Sequence, residues 1–155
     1  MKILIVFFSR TGHTRKVAEK LQSEFRCDLE ELHDEKKRTG FWGYFFSGRD
    51  AMQKRAAKLA AMKYNPADYE LVILGTPIWA FDVCTPIRTY LSEHKKVLKK
   101  AAFFCTMGGS GDQRAFSSMK KLCEQEPIAS LSVLQKEVEQ DLYQEKLANF
   151  AKKLR

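Results

Sequence analysis

The chain has 155 residues, of which 45% are hydrophobic and 30% are charged, and its formal net charge is +8 at pH 7. The length favours a single domain, residues 1–155, with a substantial core, the composition is that of a globular protein, and no apolar run approaches the roughly 20 residues of a transmembrane segment. The basic residues lie mostly on the outer faces of predicted helices without an aromatic-interleaved motif, so solvated surfaces are favoured over nucleic-acid binding.

Strands alternate with helices from one end of the sequence to the other. The predicted strands cover residues 2–8, 28–33, 70–75, 101–106 and 128–134. The predicted helices cover residues 12–25, 85–98, a segment with Phe116, Met119, Leu122 and Cys123 on its inner face, and 136–154. Such an alternation is typical of an α/β protein with a parallel sheet.

The connection between the second and third strands is unusually long, at roughly 35 residues. Residues 50–63 have the apolar spacing of a helix and are predicted to form the crossover. Residues 34–49 include aromatic side chains among glycines, namely Phe41, Trp42, Tyr44, Phe45 and Phe46. Two interpretations of the 40–48 stretch stay open: a loop that packs its rings on the sheet, or a lid or partner surface, since exposed aromatic patches often mark binding.

The loop after the first strand has the character of a phosphate site. It contains Ser9, Arg10, Thr11, Gly12, His13 and Thr14. Hydroxyls and backbone N–H groups meet there at the positive end of a helix, which favours a bound phosphate. The loop has neither the Gly-Lys-Ser/Thr of a Walker A motif nor a G-x-G-x-x-G fingerprint, so a single terminal phosphate is the predicted ligand. The alternative is a turn that only caps the helix.

Two further loops follow the third and fourth strands. The first contains Thr76, Pro77, Ile78, Trp79, Ala80, Phe81, Asp82, Val83 and Cys84. The second contains Thr106, Met107, Gly108, Gly109, Ser110, Gly111 and Asp112. In an open parallel sheet, ligands bind beyond the carboxyl ends of the strands where the strand order reverses. The glycines let backbone approach a planar ligand closely, and a flexible turn with Asp112 capping the next helix is the alternative.

The three motifs Thr-Gly-x-Thr, Thr-Pro-x-Trp and Gly-Gly-x-Gly-Asp, in this order and each after a strand, resemble those of the flavodoxin superfamily. The resemblance covers the whole chain, and the uninterrupted last strand is similar to the short-chain branch. It implies a flavodoxin-like, doubly wound, five-stranded parallel sheet with the order 2-1-3-4-5. It also implies FMN as the cofactor, contacted by residues 9–14, 76–81, 106–109, 111 and 112.

The resemblance further implies a division of labour among these loops. The hydroxyls of Ser9, Thr11 and Thr14 would bond the FMN phosphate, and backbone groups of the third loop would bond the pyrimidine edge of the flavin. Trp79 would contact the isoalloxazine ring, with Phe81 as the second choice. No catalytic acid or base and no metal site is predicted, His13 is interpreted as a surface or phosphate-side residue, and Cys84 as a buried structural thiol.

The predicted function is electron transfer by an FMN-binding flavoprotein in the cytoplasm. Scattered cysteines without C-x-x-C or zinc spacing predict reduced thiols in that compartment. Two features depart from carrier flavodoxins: the chain is basic, and its third loop has no aromatic residue to cover the flavin. The alternative is therefore an NAD(P)H-dependent FMN or quinone oxidoreductase that uses the uncovered face. The redox partner protein or substrate, the redox potentials and the oligomeric state stay open.

Overall fold

The computed structural model of the protein describes residues 1–35 and 57–155. Its strands are β1 (Ile3–Phe7), β2 (Asp28–Glu31), β3 (Leu71–Trp79), β4 (Asp82–Val83), β5 (Ala101–Met107) and β6 (Ser130–Leu134). The helices of the described residues are α1 (His13–Phe25), α2 (Thr85–His94), α3 (Asp112–Cys123), α4 (Gln135–Glu139) and α5 (Gln144–Leu154), with a short 3₁₀ turn at Pro66–Asp68.

The strands form one sheet in the order β2-β1-β3-β5-β6, in which every neighbouring pair is parallel. The two-residue strand β4 is outside this path and pairs antiparallel with the end of β3. Without β4, the order is the predicted 2-1-3-4-5, so the doubly wound α/β fold is confirmed. Strand order reverses between β1 and β3, which fixes where the carboxyl ends of β1, β3 and β5 meet.

The sheet is covered on both faces, and β1 is accordingly buried along its whole length. A strand buried on both faces is expected to be a continuous apolar run rather than an alternating one. Alternate β1 side chains enter two different cores. Val6 belongs to the core that includes Met119 of α3, whereas Phe7 belongs to the core that includes Val17 of α1 and Phe150 of α5.

The C-terminal helix predicted over residues 136–154 is wrong, because the chain leaves the helix between α4 and α5. Asp141 has a left-handed backbone, with φ = 55°. Its N–H donates to the Val138 carbonyl at 3.2 Å, and the Leu142 N–H donates to the Glu137 carbonyl at 2.8 Å. These are the two hydrogen bonds of a Schellman motif. The end of α4 could not be predicted from the sequence because aspartate, instead of glycine, occupies the left-handed position.

Two other predicted boundaries are also wrong. The helix predicted to end at residue 98 ends at His94, where a turn begins. The third strand does not end at residue 75 but continues to Trp79 and returns as β4, so the predicted loop is mainly a hairpin. Its turn residues, Ala80 and Phe81, both have positive φ, as in a type I′ turn. That turn is usually marked by Asn-Gly or a similar pair, and the sequence carries no such mark.

The helix predicted over residues 50–63 is wrong for the part that the structure describes, residues 57–63. The N–H of Ala57 donates to Thr89 Oγ1 at 2.7 Å, and the N–H of Lys63 donates to Glu30 Oε1 at 2.6 Å. Side-chain acceptors thus take backbone donors that a helix would use. The aromatic stretch 40–48 and residues 50–56 lie outside the described residues. Within residues 1–35 and 57–155, no helix is long and apolar enough to cross a membrane.

A substitution at Gly75 can test how closely β3 and β5 pack at the centre of the sheet. A Cβ atom at Gly75 would lie 2.0 Å from Cζ of Phe104 on β5, so Gly75→Ala should lower the free energy of unfolding by about 1–3 kcal/mol through overpacking. Gly108→Ala is the matched control, because a Cβ there meets nothing within 4 Å. Urea unfolding of both variants measures the difference. Equal stabilities of the two variants would contradict the packing described here.

Candidate functional site

The candidate site lies at the sheet edge where β1, β3 and β5 end. Three connections meet there: the loop between β1 and α1, the β3–β4 turn, and the loop between β5 and α3. Contacts join them. The ring of Phe8 packs edge-on against that of Trp79, with centroids 5.3 Å apart. Thr14 Oγ1 lies 2.7 Å from Thr106 Oγ1. This edge is where ligands bind in open α/β sheets.

The start of α1 forms a compact set of hydrogen-bond donors. Ser9 Oγ accepts the N–H of Gly12 at 3.1 Å and that of Arg15 at 3.3 Å. Gly12 has φ = 97°, a conformation that favours glycine, and the helix begins at the next residue. First-turn N–H groups of a helix have no acceptor within the helix. They and the helix dipole make this loop suited to an anion.

The three hydroxyls that were predicted to bond a phosphate have different surroundings. Ser9 already accepts two N–H groups of the loop. Thr11 is exposed, and its Oγ1 lies 2.8 Å from His13 Nδ1. Thr14 is buried against Thr106 of β5. Thr11 is therefore the most accessible of the three hydroxyls. Thr14 connects the start of α1 to the end of β5.

His13 connects the loop to the C-terminal part of the fold. Its Nδ1 faces Thr11 Oγ1, and its Nε2 lies 2.9 Å from Glu139 Oε1 at the end of α4. The Glu139 side chain is 62% exposed, so the ion pair formed by a protonated His13 contributes little stability by itself. The contact orients the imidazole beside Thr11.

The two aromatic residues of the β3–β4 hairpin lie in different environments. Trp79 is only 4% exposed and belongs to a hydrophobic core, with the guanidinium carbon of Arg10 5.6 Å from its ring centroid. Phe81 is 65% exposed. A buried hydroxyl supports the hairpin from inside, because Thr76 Oγ1 donates to the Pro77 carbonyl and accepts the N–H of Cys84. Phe81 is thus the aromatic side chain that the hairpin presents to solvent.

A cavity of about 300 Å³ lies between the hairpin and the β5–α3 loop. Its lining residues are Ile78, Ala80, Phe81, Gly108, Gly109 and Ser110. Cβ atoms at Gly108 and Gly109 would face open space, whereas one at Gly111 would lie 3.0 Å from the Phe81 Cα. The loop is therefore tight against the hairpin at Gly111 and open at the two preceding glycines.

A larger cavity, of about 610 Å³, lies between α1 and the α4–α5 region. Charged side chains of both signs line it, including Lys16, Glu19, Glu24 and Asp141. None of the predicted site residues is in its lining. Position relative to the strand ends, rather than size, therefore selects the smaller cavity as part of the candidate site.

The predicted site residues differ in exposure. The exposed ones are Thr11, Phe81, Gly108 and Gly109. The half-buried ones are Ser9, Arg10, Gly12, His13, Pro77, Ile78, Ala80, Met107, Gly111 and Asp112. The buried ones are Thr14, Thr76, Trp79 and Thr106. The buried residues fit a supporting role, and the exposed and half-buried ones form the accessible surface.

Sequence reasoning missed two arginines beside the hairpin. Arg88 of α2 and Arg114 of α3 both pair with Asp82, although in the sequence each resembles an ordinary helix charge. Burial raises the pKa of the nearby Cys105 thiol to about 12, so this cysteine stays protonated at neutral pH. In the described part of the chain, no cluster of three His, Cys, Asp or Glu residues could hold a metal ion.

A family model described as Flavodoxin matches residues 2–153. The chain belongs to the flavodoxin family. Among solved structures, this flavodoxin-family fold is similar to a flavoprotein from Lactobacillus acidophilus NCFM in complex with FMN, at 24% identity and a TM-score of 0.68, covering 90% of this chain and 97% of that one. A candidate flavoprotein from Bacteroides eggerthii DSM 20697 is 25% identical, with a TM-score of 0.74 and coverage of 97% and 98%.

The two-electron reduced flavodoxin of Megasphaera elsdenii is 18% identical, with a TM-score of 0.61 and coverage of 99% of both chains. No curated protein matches the sequence significantly. The predicted family and fold are thus confirmed. The roles of single residues stay predictions, because the comparisons do not test them.

The buried contact between Thr14 and Thr106 predicts strong coupling within this flavodoxin-family site. Thr14→Val leaves the Thr106 hydroxyl without this partner, and we expect a loss of about 1–3 kcal/mol in the free energy of unfolding. Combining it with Thr106→Val removes both polar groups and should cost less than the sum of the single losses. Urea unfolding of the wild type, the two single variants and the double variant measures the coupling energy. Strict additivity would show that the two hydroxyls do not depend on each other.

Proposed function

We propose that the protein binds FMN where β1, β3 and β5 end and that it transfers electrons through this cofactor. The observation that carries the proposal is the proximity of two different surfaces. The N–H groups at the start of α1 suit a phosphate, and the glycine-lined cavity beside Phe81 suits part of a planar ring. Membership of the flavodoxin family supports the same ligand.

The phosphate end is assigned to residues 9–14. Backbone N–H groups at the start of α1 would hold the phosphate oxygens, together with the hydroxyls of Ser9 and Thr11. The hydroxyl of Thr14 can accept from Thr106 and keep its own O–H for donation, so its bond to the phosphate stays a prediction. The imidazole of His13 lies between the Thr11 hydroxyl and the Glu139 carboxylate.

The ring end is assigned to the β3–β4 hairpin and the β5–α3 loop. Gly108 and Gly109 leave open space for a ring, and Phe81 offers an exposed aromatic face. Trp79 supports the hairpin from the core, so Phe81 replaces it as our first choice for ring contact. When bound, FMN supplies the redox chemistry, and the protein supplies binding, orientation and an electrostatic environment.

Electron transfer is our first choice because the family model that matches residues 2–153 is that of flavodoxin. One observation supports the alternative, an NAD(P)H-dependent FMN or quinone oxidoreductase. Gly108 and Gly109 line the cavity without a side chain that could cover it, so a substrate would have access. The cytoplasmic location and the redox partner stay predictions.

Variants of the phosphate end should separate FMN from riboflavin, which lacks the phosphate. Ser9→Ala and Thr11→Val each remove a hydrogen bond to a charged group, a loss of about 1.5–3 kcal/mol or roughly ten- to a hundredfold in FMN affinity. Riboflavin affinity should stay unchanged. Thr11→Ser keeps the hydroxyl and is the matched control. Flavin fluorescence titration measures all affinities, and equal weakening of both ligands would rule out the assigned phosphate contacts.

Electron transfer and reductase activity predict different redox behaviour. A carrier should take up electrons in two separate one-electron steps and should oxidise NADH and NADPH negligibly. Stepwise reduction followed by absorbance, together with nicotinamide oxidation assays on the same FMN-loaded protein, distinguishes the two functions. Rapid NADPH oxidation with a single two-electron step would contradict the carrier and establish the alternative.

A further inference from the structure

A buried carboxylate lies directly behind the Ala80–Phe81 turn. Asp82, the first residue of β4, is 2% exposed. Its Oδ2 lies 3.4 Å from Arg88 Nη2 on α2 and 3.4 Å from Arg114 Nε on α3, and its Oδ1 accepts the N–H of Val83 at 2.8 Å. One side chain therefore joins the hairpin to two helices.

The buried part of this cluster is a single ion pair. The side chains of Asp82 and Arg88 are both buried, whereas the Arg114 side chain is 65% exposed. Arg88 is 8% exposed, and within the described residues neither its Nε nor its Nη2 has a hydrogen bond. Burying an ionic group with few partners is unfavourable for stability. Such a pair is weak evidence for a stabilising role, and its place beside the turn indicates a role in positioning the hairpin.

The turn that precedes Asp82 needs such support. Ala80 has φ = 49° and Phe81 has φ = 63°, and residues other than glycine adopt this region at an energetic cost. Only two residue pairs, Ile78–Val83 and Trp79–Asp82, join β3 to β4 among the described residues. A Cβ atom at Gly111 would lie 3.0 Å from the Phe81 Cα, so the backbone of Gly111 is close to the turn. Asp82 is the point at which the strained turn is tied to both neighbouring helices.

We propose that Asp82, held by Arg88 and Arg114, is a positioning residue that keeps the Ala80–Phe81 turn in its left-handed conformation and so places Phe81 at the cavity. The inference rests on the proposed FMN binding for its ligand, because Phe81 would face the flavin ring. The cluster acts on the ring end alone. Its loss should therefore weaken FMN and riboflavin by the same factor, unlike changes in the phosphate loop.

Arg114→Gln is the variant that tests the cluster with least risk to folding, because the Arg114 side chain is 65% exposed. We expect FMN and riboflavin affinities to fall about two- to fivefold each, since the ion pair of a largely exposed side chain is weak. Arg114→Lys keeps a cation and should restore part of the affinity. Lys121→Gln, which removes an exposed charge elsewhere on α3, is the matched control.

A second measurement needs no flavin. Chymotrypsin cleaves after exposed aromatic residues, and Phe81 is 65% exposed. If the cluster holds the turn, Arg114→Gln should raise the rate of cleavage after Phe81 several-fold in the apoprotein, and Lys121→Gln should not. Ala80→Gly makes positive φ easier at one turn position, so the effect of Arg114→Gln on both flavin affinities should shrink in that background.

The possible results distinguish a failure of the positioning role from a failure of the proposed flavin binding. Unchanged cleavage and unchanged flavin affinities in Arg114→Gln would overturn the positioning role. A fall in FMN affinity alone would also overturn it, since that pattern belongs to the phosphate loop. If the wild-type protein binds no flavin, the proposed function fails, whereas faster cleavage of Arg114→Gln after Phe81 still supports the anchoring of the turn by Asp82.

Discussion

The parallel register of β1, β3 and β5 is the constraint on which the candidate site depends. Phe7 pairs with Gly75, and Gly75 pairs with Phe104, so the three strands end at one edge. A slip of one residue would turn every side chain of a strand to the other face, and the strands are buried on both faces. The absence of a side chain at Gly75 leaves room for the Phe104 ring in this register. Core packing thereby fixes the starting points of all three loops.

Two structurally different segments lie at this edge, the loop before α1 and the β3–β4 hairpin. The loop before α1 relies on regular structure, since a helix start with a glycine at φ = 97° presents donors without strain. The β3–β4 hairpin instead has two non-glycine residues at positive φ, a cost that surrounding structure must offset. Binding at the loop before α1 would depend on charge and hydrogen bonds, whereas the hairpin sets the position of an exposed aromatic ring. The proposed FMN site needs both ends.

Sequence reasoning recovered the fold because strand runs and helix periodicity are local signals. It failed where a residue adopts a backbone conformation that is rare for its residue type. Asp141 ends a helix in the left-handed region, and Ala80 and Phe81 make a tight turn without glycine. Trp79 contacts Phe8 and Arg10, which are far from it in the sequence, and Asp82 pairs with arginines of two different helices. Such contacts become visible only in three dimensions.

The central claim is that the loop after β1 recognises a phosphate and the other two loops recognise the ring. Titration of the wild-type apoprotein with FMN, FAD and riboflavin, followed by flavin fluorescence, tests it most directly. FMN should bind most tightly, at least roughly a hundredfold tighter than riboflavin, since several charge-assisted hydrogen bonds would hold the phosphate. Riboflavin binding as tightly as FMN would contradict the account.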